Sequence, residues 1–177
     1  MYQTYLHTIN HNRYLKVNYS NPYKYSKLDS IKLVVKFDLE TVTKLNILYI
    51  YFLFKNFVSK NGLFILLNKK TKKIIGMKFI FQHNLMFKLL FFIKNTFLNQ
   101  PEVSNLIQVT AFDKNQNYTL YIPKTLNYYL EKNFTNPYYK AILMQFDMTF
   151  HLVFNNNTDF FDHMFYLNFF GFSFFLN

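Results

Sequence analysis

The sequence predicts an α+β fold, a two-layer sandwich in which a largely antiparallel sheet is packed with helices on one face. Segments with alternating apolar and polar residues, typical of strands, lie between segments whose apolar residues recur at helical spacing. Most connections between them are too short for the regular crossovers of a parallel sheet. The chain has 177 residues and shows no internal repeat or linker. We therefore expect a basic N-terminal arm over 1–28 and a single domain over 29–177.

Alternation of apolar and polar residues marks the candidate strands. The alternating or apolar segments bounded by turn residues are 31–37, 63–67, 74–82, 107–111, 118–122, 146–154 and 172–176. The fourth and fifth flank Asp113–Asn117, five residues of turn chemistry. These two segments predict a β-hairpin or a strand–loop–strand unit.

Helical spacing and end signals mark four candidate helices, 40–59, 85–97, 125–132 and 159–170. In the first, the stripe expected to be buried consists of Val42, Leu45, Leu48, Tyr49 and Phe52. In the second, His83 and Asn84 are expected to cap the helix, and the buried stripe consists of Leu85, Leu89, Phe92 and Thr96. Thr158 is expected to cap the last helix, which Gly171 ends, and residues 133–137 form a loop.

The charge of the chain is strongly basic and unevenly distributed. Its net charge is +11, with 20 Lys and Arg against 9 Asp and Glu. Residues 1–94 carry 16 basic and 3 acidic side chains, whereas residues 95–177 carry 4 and 6. The excess indicates an anionic partner for the first half, either nucleic acid or an acidic membrane surface. A basic protein without such a partner is the alternative.

The basic side chains cluster in three places. The arm interleaves cations with tyrosines, a pattern that suits RNA but also a solvated leader. The strand 31–37 places lysines on one face, and the turn 68–73 holds four lysines whose mutual repulsion favours a polyanion over free solvent. The residues expected to bind RNA are Arg13, Lys16, Lys24, Lys27, Lys32, Lys36, Lys69, Lys70, Lys72, Lys73 and Lys78.

No residue pattern in the chain indicates catalysis or a cofactor. Cysteine is absent, which excludes disulfides and thiolate metal sites. Three glycines cannot form the common phosphate-binding loops. His7 and His11 could share a helical face, but they lack a third ligand nearby. Asp159 and Asp162 are explained by their position at a helix N-terminus. We expect a protein that is neither an enzyme nor a metal or cofactor carrier.

No segment has the roughly 20 uncharged apolar residues that a membrane-spanning helix needs. Residues 1–13 lack both a signal-peptide core and a transit-peptide pattern. The abundant Phe, Tyr, Asn, Lys and Ile are the residues that AT-rich codons specify. We therefore expect an organellar gene product that is made inside the organelle and placed in the mitochondrial matrix.

The motif Phe112-Asp-x-x-x-Asn-Tyr-Thr-Leu-x-Ile122 resembles a signature of the large-subunit ribosomal protein L-five family. Further segments resemble family motifs in the same order, from Asn21-Pro22 onward. They are Ile31–Val35, Ile75–Gln82, Phe146–Phe150, Thr158-Asp159 and Gly171–Phe174. Each motif alone is weak, but their order and spacing agree with the predicted elements.

The resemblance implies a ribosomal protein of the central protuberance that holds 5S ribosomal RNA. It also implies contact with peptidyl-site transfer RNA through a basic loop, and a bridge to a small-subunit head protein. In this chain the acidic residues expected at the bridge are Glu131, Asp159 and Asp162. The partners are then large-subunit ribosomal RNA, 5S ribosomal RNA where it exists, and neighbouring large-subunit proteins.

Two departures from the family pattern bear on RNA binding. The long basic loop of the family is reduced to about residues 68–74, which argues against transfer-RNA contact. Three polar positions that face 5S RNA in the family correspond to Val34, Asn61 and Ile80, of which two cannot donate or accept a side-chain hydrogen bond. We therefore expect weakened or absent 5S RNA binding.

Two other functions fit parts of the sequence. A peripheral protein on an anionic organelle membrane would need a basic amphipathic helix, which residues 85–97 partly match. A generic RNA-processing factor would share the charge but leave the order of motifs unexplained.

Overall fold

The computed structural model describes residues 27–37, 43–55, 63–68, 70, 73–104, 106–133, 142–155 and 160–174. The strands are β1 (Lys27–Phe37), β2 (Leu63–Leu67), β3 (Ile74–Gln82), β4 (Tyr118–Ile122) and β5 (Phe146–Asn155). The α-helices are α1 (Lys44–Lys55), α2 (His83–Ile93), α3 (Pro101–Ser104) and α4 (Phe160–Phe169). A π-helical turn, Lys94–Leu98, continues α2, and 3-10 helices cover Val109–Ala111 and Lys124–Asn133.

The five strands form one sheet in the order β2-β3-β1-β5-β4, and every neighbouring pair is antiparallel. β1 is therefore central, paired with β3 on one side and β5 on the other. The predicted fold class, an α+β sandwich with a largely antiparallel sheet, is confirmed. The predicted strands 63–67, 74–82, 118–122 and 146–154 coincide with β2, β3, β4 and β5 within one residue.

One face of the sheet forms one side of the hydrophobic core. Because side chains alternate between the faces of a strand, every second residue of β1, β3, β4 and β5 is buried here. One row across the strands consists of Phe79, Leu33, Phe150 and Leu120, all fully buried. α1, α2 and α4 contribute buried residues to the same core, and Phe54 of α1 packs on Phe79 with ring centroids 5.5 Å apart.

The other face carries the polar half of the alternation. Its side chains in β1, β3 and β5 are mostly half-exposed, and Lys36 is exposed. Gly76 of β3 lies on this face, opposite Lys36. A Cβ atom at residue 76 would collide with the Val35 carbonyl oxygen, so only glycine fits where β1 and β3 approach here.

The predicted strand over 107–111 was wrong. Ile107 is buried and Gln108 is exposed, but the segment continues into the 3-10 helix Val109–Ala111, closed by a hydrogen bond from Ala111 N to Gln108 O. Of the predicted hairpin, β4 and an isolated bridge between Phe112 and Tyr118 are present. The alternation of apolar and polar residues reflects which side chains face the core, and a tight helical turn can give the same pattern.

The predicted buried stripe of α1 was also wrong. Leu45, Leu48 and Phe52 are each more than half exposed, and Tyr49 is only partly buried. The helix instead buries Ile50 and Phe54 completely. The helix is apolar on all sides, so its sequence does not determine which side faces the sheet.

α2 begins where β3 ends, without an intervening loop. Gln82 occupies the N-cap and makes no side-chain cap hydrogen bond, so the predicted capping by His83 and Asn84 was wrong. His83 has a φ of 51°, and this left-handed residue turns the chain into the helix. Of the predicted buried stripe, Leu89 and Thr96 are buried, whereas Leu85 and Phe92 are only partly buried. The buried face consists mainly of residues that the prediction did not include, namely Met86, Phe87, Leu90, Ile93 and Phe97.

The C-terminal segment packs by its rings. Gly171 ends the segment after α4 with a φ of 92°, as expected for a left-handed helix end. The prediction of a strand here was wrong for Phe172–Phe174. The edge strands of the sheet are β2 and β4, and neither of them pairs with this segment. The predicted helix over 125–132 is a 3-10 helix. The predictions for the arm before Lys27, the loop 134–137 and the Thr158 cap fall outside the described residues.

Candidate nucleic-acid interface

Three of the predicted RNA-binding lysines lie together on the open face of the sheet, which we call the basic face. Lys32 and Lys36 share one face of β1 because they are an even number of residues apart. The β1–β3 register places Lys78 opposite Val34, between these two lysines. Because strands lie about 4.8 Å apart and rise about 3.3 Å per residue, the three side chains form one compact patch.

The patch is not neutralised by nearby acids. None of the three lysines forms an ion pair with another described residue. Asp147 stands opposite Lys36 in the β1–β5 register, but its carboxylate accepts a hydrogen bond from Lys124 N at 2.8 Å. In the strand registers Asp147 is the one carboxylate opposite these lysines, so the three cations leave a net positive charge that favours an anion carrying several charges.

His151 of β5 lies within the basic face, opposite Lys32. Its Nδ1 lies 3.1 Å from the Thr119 hydroxyl of β4. Burial lowers the pKa of His151, and the charges of Lys32, Lys78 and Lys36 lower it further, whereas Asp113 opposes them. Burial and the three lysine charges therefore both favour the neutral imidazole.

Tyr121 lies on β4, at the edge of the basic face. Its ring is about half exposed, and it lies opposite Thr149. Burial raises the pKa of its phenol, and the charge of Asp147 and a hydrogen bond with Asp147 raise it further. An exposed ring on the same sheet face as the lysines is a surface on which a nucleic-acid base can stack.

The apolar departures from the family pattern lie among these lysines. Val34 is opposite Lys78, and Ile80 is opposite Lys32, both half-exposed on the basic face. Neither side chain can form a hydrogen bond with a base edge. The face can therefore attract phosphates, but it offers little for sequence recognition at its centre. Asn61 lies outside the described residues.

The turn between β2 and β3 extends the basic region at one end. Lys70 and Lys73 are exposed in this turn, near the sheet end where Gly76 lies opposite Lys36. Asn68 holds the turn, because its Oδ1 accepts from Lys70 N and its N–H donates to the Lys73 carbonyl, both at 2.9 Å. Lys27 is exposed at the opposite end of the face, opposite Asn155. Arg13, Lys16, Lys24, Lys69 and Lys72 lie outside the described residues.

The acidic residues predicted for an intersubunit contact are not brought together on the described surface. Asp162 is only 4% exposed, in the first turn of α4. A buried carboxylate cannot reach a protein across an interface, so the structure opposes that role for Asp162. Glu131 lies in the 3-10 helix Lys124–Asn133, and Asp159 lies outside the described residues.

The hairpin motif 112–122 is explained by packing. Asp113 Oδ1 accepts hydrogen bonds from Asn115 N and Asn117 N, both at 2.8 Å, which closes the loop. The ring of Phe112 packs on Phe160 and Phe174, and it packs on Tyr118, whose centroid is 4.9 Å away. Burial raises the pKa of Tyr118. The rings of Phe112 and Tyr118 thus join β4 to α4 and the C-terminal segment on the core side of the sheet.

Two candidates for ligand contact, His151 and Tyr121, were missed by sequence analysis. The signal was present, because both occupy the polar half of a strand alternation. Their position beside the lysines depends on the pairing of β5 with β1 and β4, which no single segment encodes. Within the described ranges there is no group of three potential metal-ligating residues, and no helix is long and apolar enough to cross a membrane.

No protein-family model matches this sequence, and no curated protein matches it either.

Proposed function

We propose that this chain is an RNA-binding structural protein of the large subunit of a mitochondrial ribosome, located in the central protuberance. The observation that carries the proposal is the convergence of Lys32, Lys36 and Lys78 on one open sheet face, where none of them forms an ion pair with another described residue. The resemblance to the L-five family, with its ordered motifs, supplies the ribosomal context.

The mode of binding follows from the composition of the face. Lysine neutralises phosphate and releases counterions, which makes binding strong at low salt and nearly independent of sequence. Val34 and Ile80 provide no base-edge contacts. We therefore propose that large-subunit ribosomal RNA and neighbouring proteins hold the chain, and that 5S RNA binding is weakened or absent. Tight, salt-sensitive and selective binding of a 5S RNA in a gel shift would contradict this mode.

Removal of charge by substitution tests the basic face. The double variant Lys32→Gln/Lys78→Gln should reduce the slope of log affinity against log salt by about 2 for a duplex RNA probe. The matched control Lys44→Gln/Lys88→Gln removes the same charge from exposed positions on α1 and α2. It should leave the slope unchanged. Equal slopes for the two double variants would exclude the basic face as the site.

The lysine turn is tested separately. Alanine at Lys69, Lys70, Lys72 and Lys73 should weaken RNA binding broadly and flatten its salt dependence. An unchanged salt dependence would mean that the turn is only solvated.

The ribosomal assignment is tested by separating mitochondrial ribosomal subunits on a gradient and sequencing RNA crosslinked to the chain. Large-subunit migration with crosslinks to large ribosomal RNA supports the proposal. Crosslinks to 5S RNA would support the family role and contradict weakened 5S binding. A chain found with membranes instead would exclude the ribosomal role.

The bridge to the small subunit now depends on Glu131 and Asp159, because Asp162 is buried. The double variant Glu131→Lys/Asp159→Lys should impair subunit joining if these carboxylates contact a basic small-subunit protein. Unchanged joining would end this part of the proposal.

One observation favours the alternative function, a peripheral protein on an anionic organelle membrane. Leu45, Leu48 and Phe52 of α1 are exposed close to Lys44, which is also exposed. Apolar side chains beside a cation suit an interfacial helix. α2, the helix first expected in this role, is a core helix instead. Release of the chain from mitochondrial membranes by a high-salt, low-magnesium wash, together with ribosomal RNA, would exclude the alternative.

A further inference from the structure

His151 is the one histidine that the described strands place within the basic face. The β1–β5 and β4–β5 registers put it between Lys32 and Thr119 in one row across the sheet. Its Nδ1 forms a hydrogen bond with the Thr119 hydroxyl at 3.1 Å, and this bond fixes the orientation of the ring. Within the described part of the chain, its Nε2 has no hydrogen-bond partner.

The charged groups that act on this ring lie on both sides of β5. Lys32 and Lys36 approach from β1, Lys78 approaches from β3, and Asp113 approaches from the loop before β4. Three cations against one carboxylate oppose a further positive charge, as does the partial burial of the ring. In the free protein His151 is therefore held neutral near neutral pH.

We propose that His151 is a further anion-binding residue of the basic face, neutral in the free protein and protonated when RNA phosphates occupy the face, so that RNA binding takes up a proton. This proposal deepens the proposed function and rests on it. The ligand chemistry is a phosphodiester backbone, because only a multivalent anion covers all three lysines at once.

Phosphates bound at the lysines reverse the local potential. The protonated imidazole then gains a nearby anion, and its Nε2–H can donate a charge-assisted hydrogen bond to a phosphate oxygen. Thr119 keeps the ring in place in both states, since its hydroxyl can donate to Nδ1 or accept from it. The proton moves from solvent to the imidazole, and no bond other than hydrogen bonds is formed.

The sign of the pH dependence follows from this linkage. Binding raises the pKa of His151, so the complex binds one proton more than the free protein between the two pKa values. Affinity therefore increases as pH falls through the pKa of the complex, and it levels off below the pKa of the free protein. Within that window the increase approaches about tenfold per pH unit.

The test measures binding of a 20-nucleotide oligouridylate between pH 5.5 and 8 at constant ionic strength. We expect the wild-type affinity to rise by about three- to tenfold from pH 8 to pH 5.5. The variant His151→Gln should lose most of that rise. The control His83→Gln removes an exposed histidine outside the basic face and should keep it.

A second measurement requires no variant of altered stability. The ring-proton resonance of His151 is titrated by NMR in the free wild-type chain and with saturating oligouridylate, and its midpoint should move to higher pH in the complex. An unchanged midpoint, or equal pH dependence in the wild type and His151→Gln, overturns the proton linkage while leaving RNA binding intact. Absence of oligouridylate binding at every pH overturns both this proposal and the proposed function.

Discussion

Phe154 and His163 stack face to face, with ring centroids 4.1 Å apart and ring planes inclined by 9°. His163 is fully buried, and its Nδ1 donates to the Gln116 carbonyl at 3.0 Å. Gln116 has a left-handed φ of 60° in the loop before β4. One side chain of α4 thus connects β5 with the loop of the hairpin motif.

The first prediction concerns this histidine. His163→Ala should lower the free energy of unfolding by about 3 kcal/mol, because it leaves a cavity and an unpaired buried carbonyl. His163→Phe keeps an aromatic ring for the stack but removes the hydrogen bond to Gln116, so it should cost about 1 kcal/mol. Urea unfolding followed by circular dichroism measures both. Equal losses for the two variants would show that the stack contributes nothing.

The second prediction concerns the contact between β1 and β3. Gly76→Ala should destabilise the protein by about 1–3 kcal/mol, because the new methyl group collides with the Val35 carbonyl in a sheet paired on both sides. Gln82→Ala, at an exposed position on the same face of the same strand, should change the stability by less than about 0.5 kcal/mol. A stable Gly76→Ala variant would mean that β1 and β3 separate easily at this point.

The third prediction concerns the loop at Asp113. Asp113→Ala removes the acceptor of two backbone N–H groups and should cost about 1–2 kcal/mol. Asp113→Asn keeps an acceptor oxygen and should recover most of this loss. The exposed neighbour Lys114 provides the control, because Lys114→Ala removes none of these hydrogen bonds. Thermal unfolding ranks the three variants, and a loss with Lys114→Ala equal to that with Asp113→Ala would contradict the role of the carboxylate.

The fourth prediction tests which side of α1 is buried. Leu48→Lys and Phe52→Lys should each change the free energy of unfolding by less than about 0.5 kcal/mol, because both side chains are exposed. Ile50→Ala should cost about 2–5 kcal/mol because its side chain is fully buried. Larger losses of stability for Leu48→Lys and Phe52→Lys than for Ile50→Ala would support the buried stripe that was expected from the sequence.

The strands were predicted well where the two faces of the sheet differ. β3 and β5 alternate between a buried and an open face, so their polar and apolar residues alternate too, and their bounds follow directly. α1 shows the opposite case. Its sequence, KLNILYIYFLFK, is apolar all round, and only the position of the helix over Phe79 decides that Ile50 and Phe54 are buried.

The candidate site was predicted in part. Lys32 and Lys36 were expected on one face because their spacing within a single strand determines it. Lys78, His151 and Tyr121 come from three other strands, and their position on the same face as those lysines depends on register. Register is set by packing across the whole sheet, which local patterns do not contain.

The central position of β1 governs the order in which the chain can fold as it is synthesised. The strand that ends at Phe37 acquires its neighbour β3 early, but its other neighbour begins only at Phe146. Until then one edge of β1 has no partner from this sheet. Such an edge invites pairing with other chains. Closure of the sheet therefore depends on the arrival of β5, and a nascent chain that stops before Phe146 should be prone to aggregation.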